Sequence, residues 1–225
     1  MLALRGFLGQ YACDNEAAPN LGSLKSGLWK IPREKRSEFF KLYCEAAKTF
    51  TARDHTGFVF RPPRTLKQPF LLDIDFKTTK EVPNPVEPYV ELAEIVAKEL
   101  QRQLKQHITF AVVCKPNGYW KKVGTYVYCL GAHIYFPNVR VSLDMSRAIR
   151  AYCIEHISSV FGASCYENSP DDVVDRRIPL RFNGLMLAGD FKPSRDERSA
   201  DCGGRYCVRV VASVCGDEVK KDMLS

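Results

Sequence analysis

Two aspartates sit one residue apart in an apolar run, Leu71-Leu72-Asp73-Ile74-Asp75-Phe76. On a strand, alternate residues share a face, so Asp73 and Asp75 point the same way while Leu72, Ile74 and Phe76 point into the core. Two carboxylates on one rigid face, about 6.5–7 Å apart at the backbone, repel each other unless a cation lies between them. Magnesium meets that need. It prefers a few carboxylates plus substrate phosphates, and a pair of ions can clamp the attacking and leaving oxygens of a phosphoryl transfer. D-x-D is short and common, and taken alone it reads sooner as an acidic edge, a cap or a salt-bridge partner.

A second run, Gly131-Ala132-His133-Ile134-Tyr135-Phe136-Pro137, puts His133 and Tyr135 on one strand face with Ile134 and Phe136 behind them. Gly131 has no side chain and lets backbone or ligand come close. His133 can donate to a phosphate or sugar beside metal-bound triphosphate without itself being a ligand, although a lone histidine is more often structural. A third acid is needed to complete a two-ion site. Asp175 follows the apolar pair Val173-Val174 as a strand-end residue would, and Asp171 and Asp172 are its rivals among turn residues. Gly184-Leu185-Met186-Leu187-Ala188-Gly189-Asp190-Phe191-Lys192 then offers a glycine and a lysine suited to gripping a phosphate. Alone, that run reads sooner as a glycine-punctuated surface loop with an exposed lysine.

The elements that must position these residues follow from periodicity. Residues 1–30 read as irregular, with turns at Pro19, Gly22 and Gly27. Pro32 opens a helix running to about Thr49, with Phe39, Tyr43, Ala46 and Phe50 on one face. Short strands are expected at residues 57–60 and 70–76. A strong amphipathic helix carries Tyr89, Leu92, Ala93, Val96, Leu100 and Leu104. Strands follow at 108–114, 125–130 and 132–136, with Pro137 ending the last. A helix spans 143–161 and stops at Gly162. Residues 163–204 are turn-rich and basic, extended around Leu185-Met186-Leu187, and 206–214 is a closing strand. The order is α+β. One domain is expected over 1–225, with residues 1–55 as a lead-in and 56–215 as the catalytic core.

The chain has 225 residues, 45% of them hydrophobic, enough for a sizeable core. No run approaches the roughly 20 apolar residues of a membrane span. The opening segment, broken by Arg5 and Gly6, does not read as a secretory signal. An intracellular, reducing compartment is therefore expected, cytoplasm or nucleus. The nine cysteines are irregularly spaced and read as free thiols. Cys202, Cys207 and Cys215 lack the tight pairing of a zinc site, so structural zinc is not expected. The net charge of +7 permits a polyanionic partner. Its distribution says more: Arg61, Arg64 and Lys67 precede the acidic run, and Arg176, Arg177, Arg181, Lys192, Arg195 and Arg198 crowd the later one.

In order, these segments resemble the archaeo-eukaryotic primase superfamily, most of all its branch in large DNA viruses, where the domain begins a poxvirus-type primase–helicase chain. The resemblance rests on the strand ending in Asp73 and Asp75, then Gly131 and His133 with Pro137, then Asp175, then Gly189 and Lys192. It covers about residues 27–193, including Gly27-Leu28-Trp29-Lys30-Ile31-Pro32 as a lead-in. It implies an RNA-recognition-motif-like sheet flanked by helices, and template-directed joining of nucleotides on a single-stranded DNA template, for the synthesis or extension of replication primers. Asp73, Asp75 and Asp175 would hold two magnesium or manganese ions, and His133 and Lys192 would contact the incoming nucleoside triphosphate. Relatives often carry Arg three residues before the last glycine. Here that place is Met186, and Arg181 is the candidate replacement. No ATPase P-loop occurs in these residues, so a helicase partner would lie beyond residue 225 or on a separate chain.

Rival readings are a metal-dependent nuclease, a replication-initiation endonuclease, a sugar transferase and an inactive DNA-binding relative. The endonuclease wants two histidines around an apolar residue plus a nucleophilic tyrosine, whereas His133-Ile134-Tyr135 has one histidine. Nothing in the sequence resembles a nucleotide-sugar domain. An inactive module has no need for three repelling carboxylates.

Overall fold

A computed structural model describes residues 1–15, 17–24, 26–51, 56–61, 65–162, 166–177, 185–191 and 204–224. Helix α1 (Leu2–Gly9) is followed by strands β1 (Leu21–Ser23) and β2 (Leu28–Trp29), a 3-10 turn, helix α2 (Arg36–Ala47) and strand β3 (Phe58–Phe60). Then come β4 (Gln68–Thr78), α3 (Glu87–Leu104), β5 (Ile108–Cys114), β6 (Tyr119–Val123), β7 (Thr125–Val141) and α4 (Leu143–Phe161). The short helix α5 (Pro170–Val173) and strands β8 (Cys207–Cys215) and β9 (Glu218–Met223) complete the described elements. The fold is α+β, as expected.

The larger sheet runs β4-β7-β5-β8-β9, antiparallel throughout, with β6 paired to β7 beyond the end of β5. Because β7 lies between β4 and β5, those two run parallel, and α3 carries the chain from one to the other in a split β-α-β arrangement. α3 and α4 pack on one face. Tyr89, Leu92, Val96 and Leu100 from α3, with Ile149, Cys153 and Ile157 from α4, meet Leu72, Ile74, Val112, Ile134 and Val210 from the sheet in one buried core. Each fully buried Leu or Ile there contributes roughly 1.5–3 kcal/mol. This one-sided covering is what leaves the other face of β4 and β7 for function.

A smaller sheet, β2-β1-β3, packs with α1 and α2 around Leu4, Phe7, Phe39, Tyr43 and Phe58. It reaches the larger sheet through residues 185–187. Phe60 N donates to Leu185 O and Leu187 N to Phe58 O, while the Tyr135 hydroxyl donates to Met186 O at 2.8 Å. Strand β3, expected in the catalytic core, pairs with β1, and β9 lies past residue 215.

Four local expectations need correction. Residues 1–30 contain α1, β1 and β2, not an irregular lead-in; Leu4, Phe7 and Leu8 already had helical spacing, interrupted by Gly6. Strand β6 forms in residues 119–123, for which no element was expected, and the chain folds back at Gly124. Strand β9 was not anticipated. Pro137 does not end its strand, which continues to Val141. The β4 register steps from Pro69↔Arg140 to Phe70↔Phe136, so Pro137 falls in a bulge where its missing N–H breaks no ladder bond.

Candidate metal and nucleotide site

The acidic run and the histidine run are in register. On adjacent antiparallel strands, Asp73 lies opposite His133 and Asp75 opposite Gly131. Residues opposite one another share a face, so Asp73, Asp75 and His133 look away from the helices, while Leu72, Ile74 and Phe76 are buried beneath. Gly131 is required by the ladder itself, since a Cβ there would lie 2.1 Å from Ile74 O and 3.1 Å from Asp75 Oδ1. The close approach that Gly131 allows is therefore that of the β4 backbone. His133 Nε2 lies 3.7 Å from Asp73 Oδ1, longer than a hydrogen bond. Its ring stacks on Tyr206 with centroids 4.4 Å apart and planes inclined by 20°.

The third acid reaches the site along the free edge of β4. Asp175 N donates to Asp73 O at 2.9 Å, and Ile74 bridges to Val174. Asn168 acts as a further rung, its side chain donating to Asp75 O and accepting from Lys77 N. Arg150, buried on α4, clamps the same segment from behind. It donates twice to Val174 O (3.0 and 2.7 Å), once to Asp171 O (2.6 Å) and once to Asp171 Oδ1 (2.9 Å). Ligand atoms of Asp73, Asp75 and Asp175 consequently lie within 4.8 Å of one another. Asp171 is turned to Arg150, and Asp172 exchanges capping bonds with Ser169 at the start of α5.

Arg177 stands over this cluster. Its backbone N donates to Asp175 Oδ1 at 2.7 Å, and its guanidinium spans both Asp175 oxygens, with distances of 2.7 and 3.1 Å. Burial pushes the Asp175 carboxyl up, but the Arg177 side-chain and backbone hydrogen bonds, with the charges of Arg177 and Arg150, outweigh it and hold it below the usual range. The reciprocal effect on Arg177 comes first from Asp175 and also includes the charges of Asp73 and Asp75. The sequence showed Arg177 as one of a basic crowd; only its spacing of two residues from Asp175 hinted at the pairing.

Opposite the acids the wall is formed by Asn84, Lys115, Asn117, Tyr119 and Tyr206, none of them singled out as site residues from the sequence. Lys115 follows β5 directly, and the Asn84 amide donates to its carbonyl at 2.9 Å. The Tyr89 hydroxyl, raised in pKa by burial first, holds Asn84 in place at 2.8 Å. A lysine immediately after an apolar strand was the available signal for this wall. Arg181 and Lys192, with Arg64, Arg195, Arg198 and Cys202, lie outside the described residues. Gly189 does not: at φ +89°, in the left-handed region, its N donates to Tyr206 O. Asp190 beside it is fully buried and accepts from the backbone N of Thr56, Phe58 and Phe191. Cys207 and Cys215 occupy opposite ends of β8, roughly 26 Å apart at strand rise, and cannot share an ion.

A family model, that of the C962R protein N-terminal AEP domain, matches residues 22–200. The chain belongs to this family of archaeo-eukaryotic primase (AEP) domains. The expected resemblance, to AEP domains of large DNA viruses, is thereby shown, and the α+β sheet flanked by helices accords with it. No curated protein matches the chain. At the level of this family, the AEP domain carries primase-like nucleotidyl transfer. No described helix is long and apolar enough to cross a membrane.

Proposed function

We propose that this AEP domain joins nucleotides on a single-stranded DNA template in a metal-dependent reaction, starting or extending primers for DNA replication. One observation carries the reading. Three carboxylates from two separate segments converge within 4.8 Å on the sheet face that also bears His133. Hard oxygen donors in this number fit magnesium or manganese and leave positions open for phosphate oxygens. Ions bound there would supply Lewis acidity to the reacting phosphate and stabilise the attacking and leaving oxygens.

The protein's own residues do the rest. Asp73 and Asp75 are fixed by the β4 ladder, and Asp175 by its bond to Asp73 O and by the Arg150 clamp. Repulsion among the three is eased by Arg177. His133, oriented by Tyr206, would donate to a phosphate or sugar of the incoming nucleotide. Lys192 and Arg181 would add phosphate contacts, and Gly131 keeps the strands close enough for His133 and Asp73 to face one another. Arg61, Lys67 and Arg176 flank the acidic motifs in sequence and would follow the template backbone, so DNA affinity should fall steeply with salt. A replicative helicase, fused or separate, is the natural partner. The free thiols suit a reducing compartment; burial pushes the Cys114 thiol up to about 11 and Cys153 to about 12.

The endonuclease alternative needs Tyr135 as a nucleophile. Its hydroxyl already donates to Met186 O, and burial first, then the Asp73 charge, raises its pKa well above the ordinary range. Incubation with template, manganese and labelled ribo- or deoxynucleotides tests the reading. Product longer than the input supports it; shortened input would mean a nuclease, and unchanged input a binding module.

A further inference from the structure

Lys115 is a lysine with 5% of its surface exposed, in the same pocket as Asp73, Asp75 and His133. Lysine is among the residues most rarely buried. Its ammonium lies 3.8 Å from the Tyr119 ring centroid and 5.3 Å from that of Tyr206, the ring on which His133 stacks. The backbone beneath is fixed by β5 pairing with β7 and β8 and by the Asn84 amide. The charge is therefore held by two aromatic faces and the end of a central strand, with little freedom to turn outward. Among the described residues lining this pocket, Lys115 supplies the one Lys or Arg side chain.

The proposed reaction places nucleotide phosphates in this pocket. Three carboxylates and a triphosphate together carry more negative charge than two divalent ions neutralise, so a cation from the protein is needed on the substrate side. Arg177 stands on the Asp175 side. We propose that Lys115 is a phosphate-contacting residue of the site, holding a phosphate oxygen of the nucleotide substrate between the tyrosine wall and the metal carboxylates. This rests on the nucleotidyl-transfer reading above. The phosphate has two sources, the incoming nucleoside triphosphate or the terminal phosphodiester of the primer strand. The chemistry of contact, an ammonium on a phosphate oxygen, is the same.

Lys115→Met keeps the aliphatic stem against Tyr119 and Tyr206 and removes the charge; Lys115→Arg keeps the charge. Nucleotide KM is measured on a fixed primer–template with manganese, and primer–template affinity is measured separately without nucleotide. The manganese-induced rise in melting temperature serves as the control. Loss of one charge-assisted hydrogen bond should weaken one of the two affinities about tenfold or more in Lys115→Met, with the manganese shift retained and Lys115→Arg recovering part of the loss. A raised KM assigns the contact to the triphosphate, and weakened DNA binding assigns it to the primer. If Lys115→Met does not fold, Lys115→Gln carries the same comparison. Unchanged KM and unchanged DNA affinity in an active background would overturn the role of Lys115 alone. A wild-type chain that adds no nucleotides would overturn the nucleotidyl-transfer reading, and this one with it.

Discussion

The acids of the site are held in two different ways. Asp73 and Asp75 sit on an eleven-residue strand paired along its length to β7, with fully buried Leu72 and Ile74 fixing which face they take. Asp175 sits in a segment with one helical turn and little regular pairing, attached to the β4 edge by Asn168 and by its own N–H, and to α4 by the Arg150 clamp. A strand places its side chains through a repeating ladder that tolerates many single changes. A clamped loop places its side chain through a few polar bonds, each of which one substitution can remove. Two of the three clustered acids are thus set by pattern, and the third by a few particular residues.

Three substitutions probe that contrast. The largest effect is expected from Asp175→Asn, which should lower nucleotide addition by roughly a hundredfold or more if the loop acid is as necessary as the strand acids. Activity near wild type would mean that the strand pair suffices. Next, Arg150→Met should cost about 3 kcal/mol, because it leaves the buried Val174 carbonyl without its donor. It should also weaken manganese binding, read by calorimetry beside a denaturant melt. A stable variant with unchanged manganese affinity would show that the edge pairing alone positions Asp175. The smallest effect belongs to Asp171→Asn. Asp171 is 62% exposed and pairs with Arg150 at the rim, so stability should change by less than about 1 kcal/mol and synthesis hardly at all. A large loss of synthesis there would return Asp171 to the site.

This division also explains what the sequence could reveal. The period of two in residues 71–76 discloses a strand, its buried face and two acids on the other side, and the heptad-like spacing of Tyr89 to Leu100 discloses α3. The pairing of the two motifs in one register was not legible, because register is set by contacts between strands distant in sequence. Pro137 misled for the same reason: only the β4 register shows that it occupies a bulge. Helix α1 was obscured by glycines within an otherwise helical spacing, and β9, mostly exposed, has no buried alternation to betray it. Arg150, Asn168 and Lys115 are ordinary polar residues in sequence. Their importance arises from where α4, the β4 edge and the end of β5 bring them.

The most direct test compares the wild-type chain with Asp73→Asn and Asp75→Asn in two paired readouts: nucleotide addition on a DNA template, and the melting temperature with and without manganese. Clustered carboxylates repel, so both variants should fold and melt at or above the metal-free wild type. Manganese should raise the wild-type melting temperature by binding the native state, raise that of either variant less, and support synthesis only by the wild type. Continued synthesis by Asp73→Asn, with a normal manganese response, would contradict the assignment of this acidic face as the metal site.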